Sequence, residues 1–67
     1  MRKKLRELRK MKNLTQDEMA KILNISRAYY GMIETGKRNP NLLLAKKIAE
    51  FHNINLEEIF FADNATK

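Results

Sequence analysis

The side chains in this sequence that can do chemistry are hydrogen-bond donors and cations, not nucleophiles. Arg27 directly follows Ser26. Its planar fork can bond O6 and N7 of one guanine together, discriminating between bases by about 1–3 kcal/mol, or it can hold a phosphate. Lys37, Arg38 and Asn39 stand together after Gly36, the composition of an exposed loop that grips phosphate through side chains and amides. Gln16 offers an amide suited to holding a phosphate or bracing a neighbouring helix. Tyr29 offers a hydroxyl suited to a phosphate or, equally, a ring suited to packing. Covalent chemistry has no comparable set. There is no cysteine and only one histidine, His52, which excludes a thiolate metal site and the usual His cluster. No nucleophile–base pair is evident, and Gly31 and Gly36 have structural uses that leave no phosphate-cradling glycine loop. The expectation is a protein that is not an enzyme and needs no cofactor, metal or small-molecule ligand.

Charge suits a polyanion at one end of the chain and not at the other. The 67 residues carry a formal net charge of +6, from 14 Lys+Arg against 8 Asp+Glu. The excess sits at one end: residues 1–12 hold seven basic groups and one acid, whereas 56–67 hold one basic group and three acids. RNA is a poor fit, because the aromatic residues do not line up with the basic ones for base stacking. No apolar run approaches the roughly 20 residues of a membrane span, and MRKK is not followed by an apolar signal core. A soluble, cytoplasmic protein is expected, with one domain over residues 1–61 and a tail at 62–67. A chain of this size buries only about 60% of its unfolded surface, so tight helix packing or a partner subunit must support it.

The elements that must position these groups are legible from their junctions. Asn13-Leu14-Thr15, Asn24-Ile25-Ser26 and Asn53-Ile54-Asn55 share one grammar. Asn tolerates the left-handed conformation just past a helix end, the apolar residue folds back, and Thr, Ser or Asn caps the next helix. Thr15 with Glu18, and Asn55 with Glu58, have capping-box spacing. Gly36 stops a further helix and Asn41 caps the next. Five helices are predicted, at about 2–12, 16–23, 27–35, 42–52 and 56–61, and no strand. Apolar stripes gather Leu5, Leu8 and Met11; Met19, Ala20, Ile22 and Leu23; Leu42, Ala45, Ile48, Ala49 and His52; and Leu56, Ile59 and Phe60. His52 reads as a core histidine with a hydrogen-bond partner.

Only three residues join the second and third predicted helices, which is the helix-turn-helix arrangement. In the third, Tyr30 and Ile33 lie within about 60° of each other and face the core. The opposite side carries Ala28, Gly31, Met32 and Thr35, with Arg27 at the exposed first turn. That face is poor as core and suits the floor of a groove.

Leu14-Thr15-Gln16-Asp17-Glu18-Met19-Ala20, Asn24-Ile25-Ser26, Ile33-Glu34-Thr35-Gly36-Lys37-Arg38-Asn39-Pro40 and Leu56-Glu57-Glu58-Ile59-Phe60 together resemble the Cro and phage-repressor-like (XRE-type) helix-turn-helix family. The resemblance covers about residues 5–60 and implies an all-α, compact five-helix bundle of the lambda-repressor-like type. It places base contacts in double-stranded DNA at Gln16, Arg27, Ala28 and Met32, with Ala28 and Met32 able to touch thymine methyl groups. Thr15, Tyr29, Gly31, Thr35, Lys37, Arg38 and Asn39 complete the set as phosphate or groove contacts. It also implies an ion pair between Arg9 and Glu34, a scaffold feature. Asn24 and Asn53 stand where the family commonly has glycine, Tyr30 where Ile or Val is usual, and His52 where Leu is common.

Function is expected to be transcriptional regulation, as a repressor binding a palindromic operator as a homodimer. Leu44, Phe51 and Phe61 are the candidate dimer residues, with the contact expected through the last helix. The competing reading is an antitoxin-like or immunity-repressor module acting mainly through a protein partner.

Overall fold

Three asparagines and one glycine set the corners of the fold. In the computed structural model, which describes residues 2–60, Asn13, Asn24 and Asn53 have φ of 59°, 62° and 57°, and Gly36 has φ of 87°. Between these corners run α1 (Lys3–Met11), α2 (Gln16–Leu23), α3 (Arg27–Thr35), α4 (Leu42–His52) and α5 (Leu56–Phe60). No strand occurs among the described residues. Phe61 and the expected tail lie outside them. None of the helices is long and apolar enough to cross a membrane.

The three asparagine corners are the same device. At each, the asparagine N–H donates three residues back and the next N–H donates five back: Asn13 to Lys10 and Leu14 to Arg9, Asn24 to Lys21 and Ile25 to Ala20, Asn53 to Glu50 and Ile54 to Ala49, at 2.9–3.3 Å. This is the paired closure that satisfies the last carbonyls of a helix. Its apolar member, Leu14, Ile25 or Ile54, then packs against the core. The next helix is capped at once. Thr15 and Glu18 form a reciprocal capping box, with Oγ1 accepting from the Glu18 amide at 3.1 Å and Oε1 from the Thr15 amide at 2.8 Å. Ser26 Oγ accepts from the Tyr29 amide at 3.0 Å, and Asn41 Oδ1 from the Leu44 amide at 2.8 Å. At α5 the bond runs instead from the Glu58 amide to the Asn55 backbone carbonyl, 3.1 Å.

α2 packs on α3 and α4 on α5, while α1 touches both α3 and α5. The centre is Leu5, Met19, Tyr30, Ile33 and Ile48, fully buried together with the Glu34 side chain. Three residues expected in the stripes are outside it: Met11 is 77% exposed, Ile22 49% and Leu42 67%. α1 is rolled so that Arg9, about 40° around from Leu5 on the side away from Leu8, comes inward, and this turns Met11 out. Ile22 is displaced because Met19, Ala20 and Leu23 centre the buried arc of α2. Leu42 sits at the first position of α4, ahead of the turn that packs. Leu44 corrects another expectation: this candidate dimer residue is buried in the core of the single chain. Phe51, another, is half-buried against that core, edge-on to His52 at 5.1 Å and beneath the Lys12 ammonium at 5.0 Å.

Candidate nucleic-acid interface

The face of α3 expected to meet DNA begins with how that helix is anchored. Tyr30, Ile33 and Glu34 are buried, so the helix presents the opposite side, Arg27, Ala28, Gly31, Met32 and Thr35. Arg27, Ala28 and Thr35 are exposed, and Gly31 and Met32 half-buried. This outward face contains no acid. Thr35 donates its hydroxyl to the Met32 carbonyl at 3.2 Å. Gln16 and Thr15 meet this face from α2. Arg27 shares a shallow cleft with Lys10, Asn13, Thr15, Gln16 and Asp17.

The face is held by a carboxylate that gathers three helices. Glu34 of α3 accepts from Arg9 of α1, Nε to Oε2 at 2.6 Å and Nη2 to Oε1 at 3.3 Å. It also accepts from Gln16 of α2, Nε2 to Oε1 at 3.1 Å. Arg9 Nη1 reaches the Leu14 carbonyl at 2.8 Å and so pins the turn between α1 and α2. The side chains of Arg9 and Glu34 are 11% and 2% exposed. Burial alone favours a protonated Glu34, but the hydrogen bonds from Arg9 and Gln16, with the Arg9 charge, hold its carboxyl below the usual range. The Tyr30 hydroxyl is buried beside the pair without a well-formed hydrogen bond to any partner among the described residues. Burial first, and the Glu34 charge second, push its ionisation above the ordinary phenol range.

The expected Arg9–Glu34 pair is therefore present. Gln16 adds what the residue types left open, since its amide braces α3 through Glu34, with Oε1 toward Gly31. Tyr29 is half-buried, packs against the core and lies under the Arg38 guanidinium at 5.9 Å. It links the loop to the helix. Lys37, Arg38 and Asn39 are exposed just beyond the Gly36 corner, on the same side as the end of α3, where the Arg38 amide donates to Met32 O at 3.2 Å. Thr15 is exposed, but its hydroxyl accepts from the Glu18 amide. The acids near this surface are engaged too, with Asp17 3.6 Å from Lys21 and Glu18 in the capping box. Arg2, read from the sequence only as part of a basic end, turns out to touch the end of α3. Contacts that span more than thirty residues leave no local signal in a sequence.

His52 corrects a further expectation. It is buried in α4, yet neither ring nitrogen has a hydrogen-bond partner among the described residues. Burial, and then the charge of Lys12, lower its pKa from the ordinary 6.5.

A helix-turn-helix family model matches residues 5–59. The chain is similar to an HTH-type transcriptional regulator of Methanocaldococcus jannaschii, at 44% identity over 96% of this chain and 97% of the relative. It is similar to the HTH-type transcriptional regulator YqaF of Bacillus subtilis, at 48% identity over 100% and 90%. The control protein C.MunI of a Mycoplasma species is 43% identical over 85% and 78%.

Proposed function

This chain belongs to the Cro and phage-repressor-like (XRE-type) family of helix-turn-helix transcriptional regulators, and from that membership we propose that it reads a specific operator in double-stranded DNA through α3. The family binds DNA and is not one of enzymes. The observation that carries the finer reading is the outward face of α3. Arg27, Ala28, Gly31, Met32 and Thr35 present one strong hydrogen-bonding group among small or apolar ones, on a helix fixed from behind by Glu34. Arg27 reads a guanine, Ala28 and Met32 favour neighbouring thymine methyl groups, and Gln16 reaches the backbone or a base edge from the N-terminus of α2. Thr15, Tyr29, Gly31, Thr35, Lys37, Arg38 and Asn39 supply phosphate or groove contacts.

One α3 covers only a few base pairs, so the proposal includes a homodimer on a palindromic operator with its two reading helices one DNA turn, about 34 Å, apart. The contact is expected through α5, whose Leu56 and Phe60 pack on the core of their own chain yet remain partly exposed. The protein acts as a repressor in the cytoplasm by occupying a promoter. Its relative's designation as a control protein supports a regulatory role.

A second reading, a module working chiefly through a protein partner, is favoured by the adjacent exposed pair Leu42 and Leu43, 67% and 70% exposed. The two separate experimentally. Selection of bound fragments from random duplex DNA, followed by salt titration, is expected to return a palindrome bound steeply more weakly as salt rises. Arg27→Ala is expected to relax preference at one base pair per half-site, at a cost of about 1–3 kcal/mol. A uniform loss across all sequences would make Arg27 a phosphate contact, and no enrichment at all would sink the operator reading.

A further inference from the structure

Arg2 does work that neither the reading face nor the Glu34 hub accounts for. Its backbone N–H donates to the Glu34 carbonyl at 2.8 Å. Its Nη1 donates to the Ile33 carbonyl at 2.5 Å and to the Arg38 carbonyl at 3.3 Å, and its Nη2 donates to Asn39 Oδ1. The guanidinium also lies 5.1 Å from the centre of the Phe60 ring. One residue thus joins the start of α1, the end of α3, the loop that follows, and α5. α3 has no basic residue of its own in its last turn, where the carbonyls carry partial negative charge, and Arg2 supplies that cation from another element.

We propose that Arg2 is a positioning residue for DNA binding, which fixes the loop Lys37–Asn39 on the end of α3 so that Lys37 and the loop amides meet the phosphate backbone. The inference rests on the DNA-binding reading above. Within the loop, the amides of Lys37 and Asn39 make no bond to other described residues, so they are free to donate to an anion. Two loop acceptors that would repel a phosphate, the Arg38 carbonyl and Asn39 Oδ1, are turned onto Arg2. The same contacts therefore order the loop and draw two of its acceptors onto Arg2, while the Lys37 and Asn39 amides keep no partner among the described residues. A guanidinium is needed for this, because its donors are spread in a rigid fork that reaches several acceptors at once. A lysine brings the charge without the fork.

The test uses the full chain and a short random-sequence duplex as probe, since phosphate contacts do not depend on sequence. Arg2→Met and Arg2→Lys are each expected to weaken binding by about tenfold, similar to Lys37→Ala. The double variant Arg2→Met/Lys37→Ala should be little weaker than either single one, because both changes remove one function. Hydrogen exchange at the Arg38 amide should quicken in the Arg2 variants while the core amides stay protected. Wild-type affinity in Arg2→Lys, or additive losses in the double variant, would show a charge acting directly on DNA and overturn the proposal. If Arg2→Met fails to fold, Asn39→Ala reads the same coupling from the other end. It must lose both affinity and Arg38 amide protection, and retention of either overturns the proposal. Absence of any duplex binding by the wild type would remove the DNA reading itself. Intact wild-type binding that Lys37→Ala weakens and the Arg2 variants do not would remove only the role of Arg2.

Discussion

Gly31 stands in the interior of α3, where glycine costs roughly 0.5–1 kcal/mol relative to alanine. The fold does not ask for it. Gly31 is not among the residues with positive φ other than the Gly36 corner, and an added Cβ would meet only Gln16 Oε1, at an ordinary 3.5 Å. A residue that weakens its helix and fills no steric need is best explained by what approaches from outside. Gly31→Ala is therefore expected to stabilise the protein by about 0.5–1 kcal/mol and to weaken DNA binding, because the methyl group holds the groove away from α3. Thermal melting and duplex titration on the same sample check both halves. A variant that is more stable and binds as tightly as the wild type would remove Gly31 from the contact surface.

At the scale of elements, the left-handed asparagines are the part of the fold most plainly written in the sequence. Asn24 closes α2 with φ of 62° and lets Ser26 cap α3 two residues later. Asn24→Gly should preserve or slightly raise stability, since glycine adopts this conformation without a Cβ penalty, whereas Asn24→Ala should lose about 1–2 kcal/mol. Urea melts of the pair measure the difference, and equal midpoints for the two variants would contradict the corner's role. The five elements were legible because their junctions are local, with stops and caps whose chemistry acts over three to five residues. Orientation was less so. A 100° stripe tells which residues share an arc, but not how far a partner rolls the helix. Met11 and Ile22 were misplaced for that reason, and Leu44 was assigned outward when it packs inward. The Arg9–Glu34 pair was legible only through family resemblance, because 25 residues separate its members. The Arg2 contacts were not legible at all, since they depend on where the end of α3 comes to lie against the start of α1.

For the whole molecule, stability is tied to pH by two buried groups in different parts of the core. His52 has a folded pKa below its ordinary 6.5, so as pH falls through about 6.5 the unfolded chain takes up a proton that the folded chain refuses. Stability is fully present above that value and declines toward the lower folded pKa. Glu34 also has a lowered folded value, from an ordinary 4.5. Its contribution is present above 4.5 and is lost only as pH falls through the folded value. Two successive losses are expected on acidification, the first near neutrality from α4 and the second in acid from the hub behind α3. His52→Leu should abolish the first and leave the second. It also removes two ring nitrogens that have no partner among the described residues, each buried polar group of that kind costing about 1–3 kcal/mol, so the variant should be the more stable protein at every pH. Melting temperatures from pH 8 to pH 3 would show a wild-type curve that bends near neutrality and a variant curve that stays level until acid. Parallel curves would mean that His52 titrates alike in the folded and unfolded chain. Because the Glu34 hub stands directly behind the proposed reading face, the acid step should also coincide with loss of DNA binding, whereas the His52 step should lower stability while the folded fraction still binds.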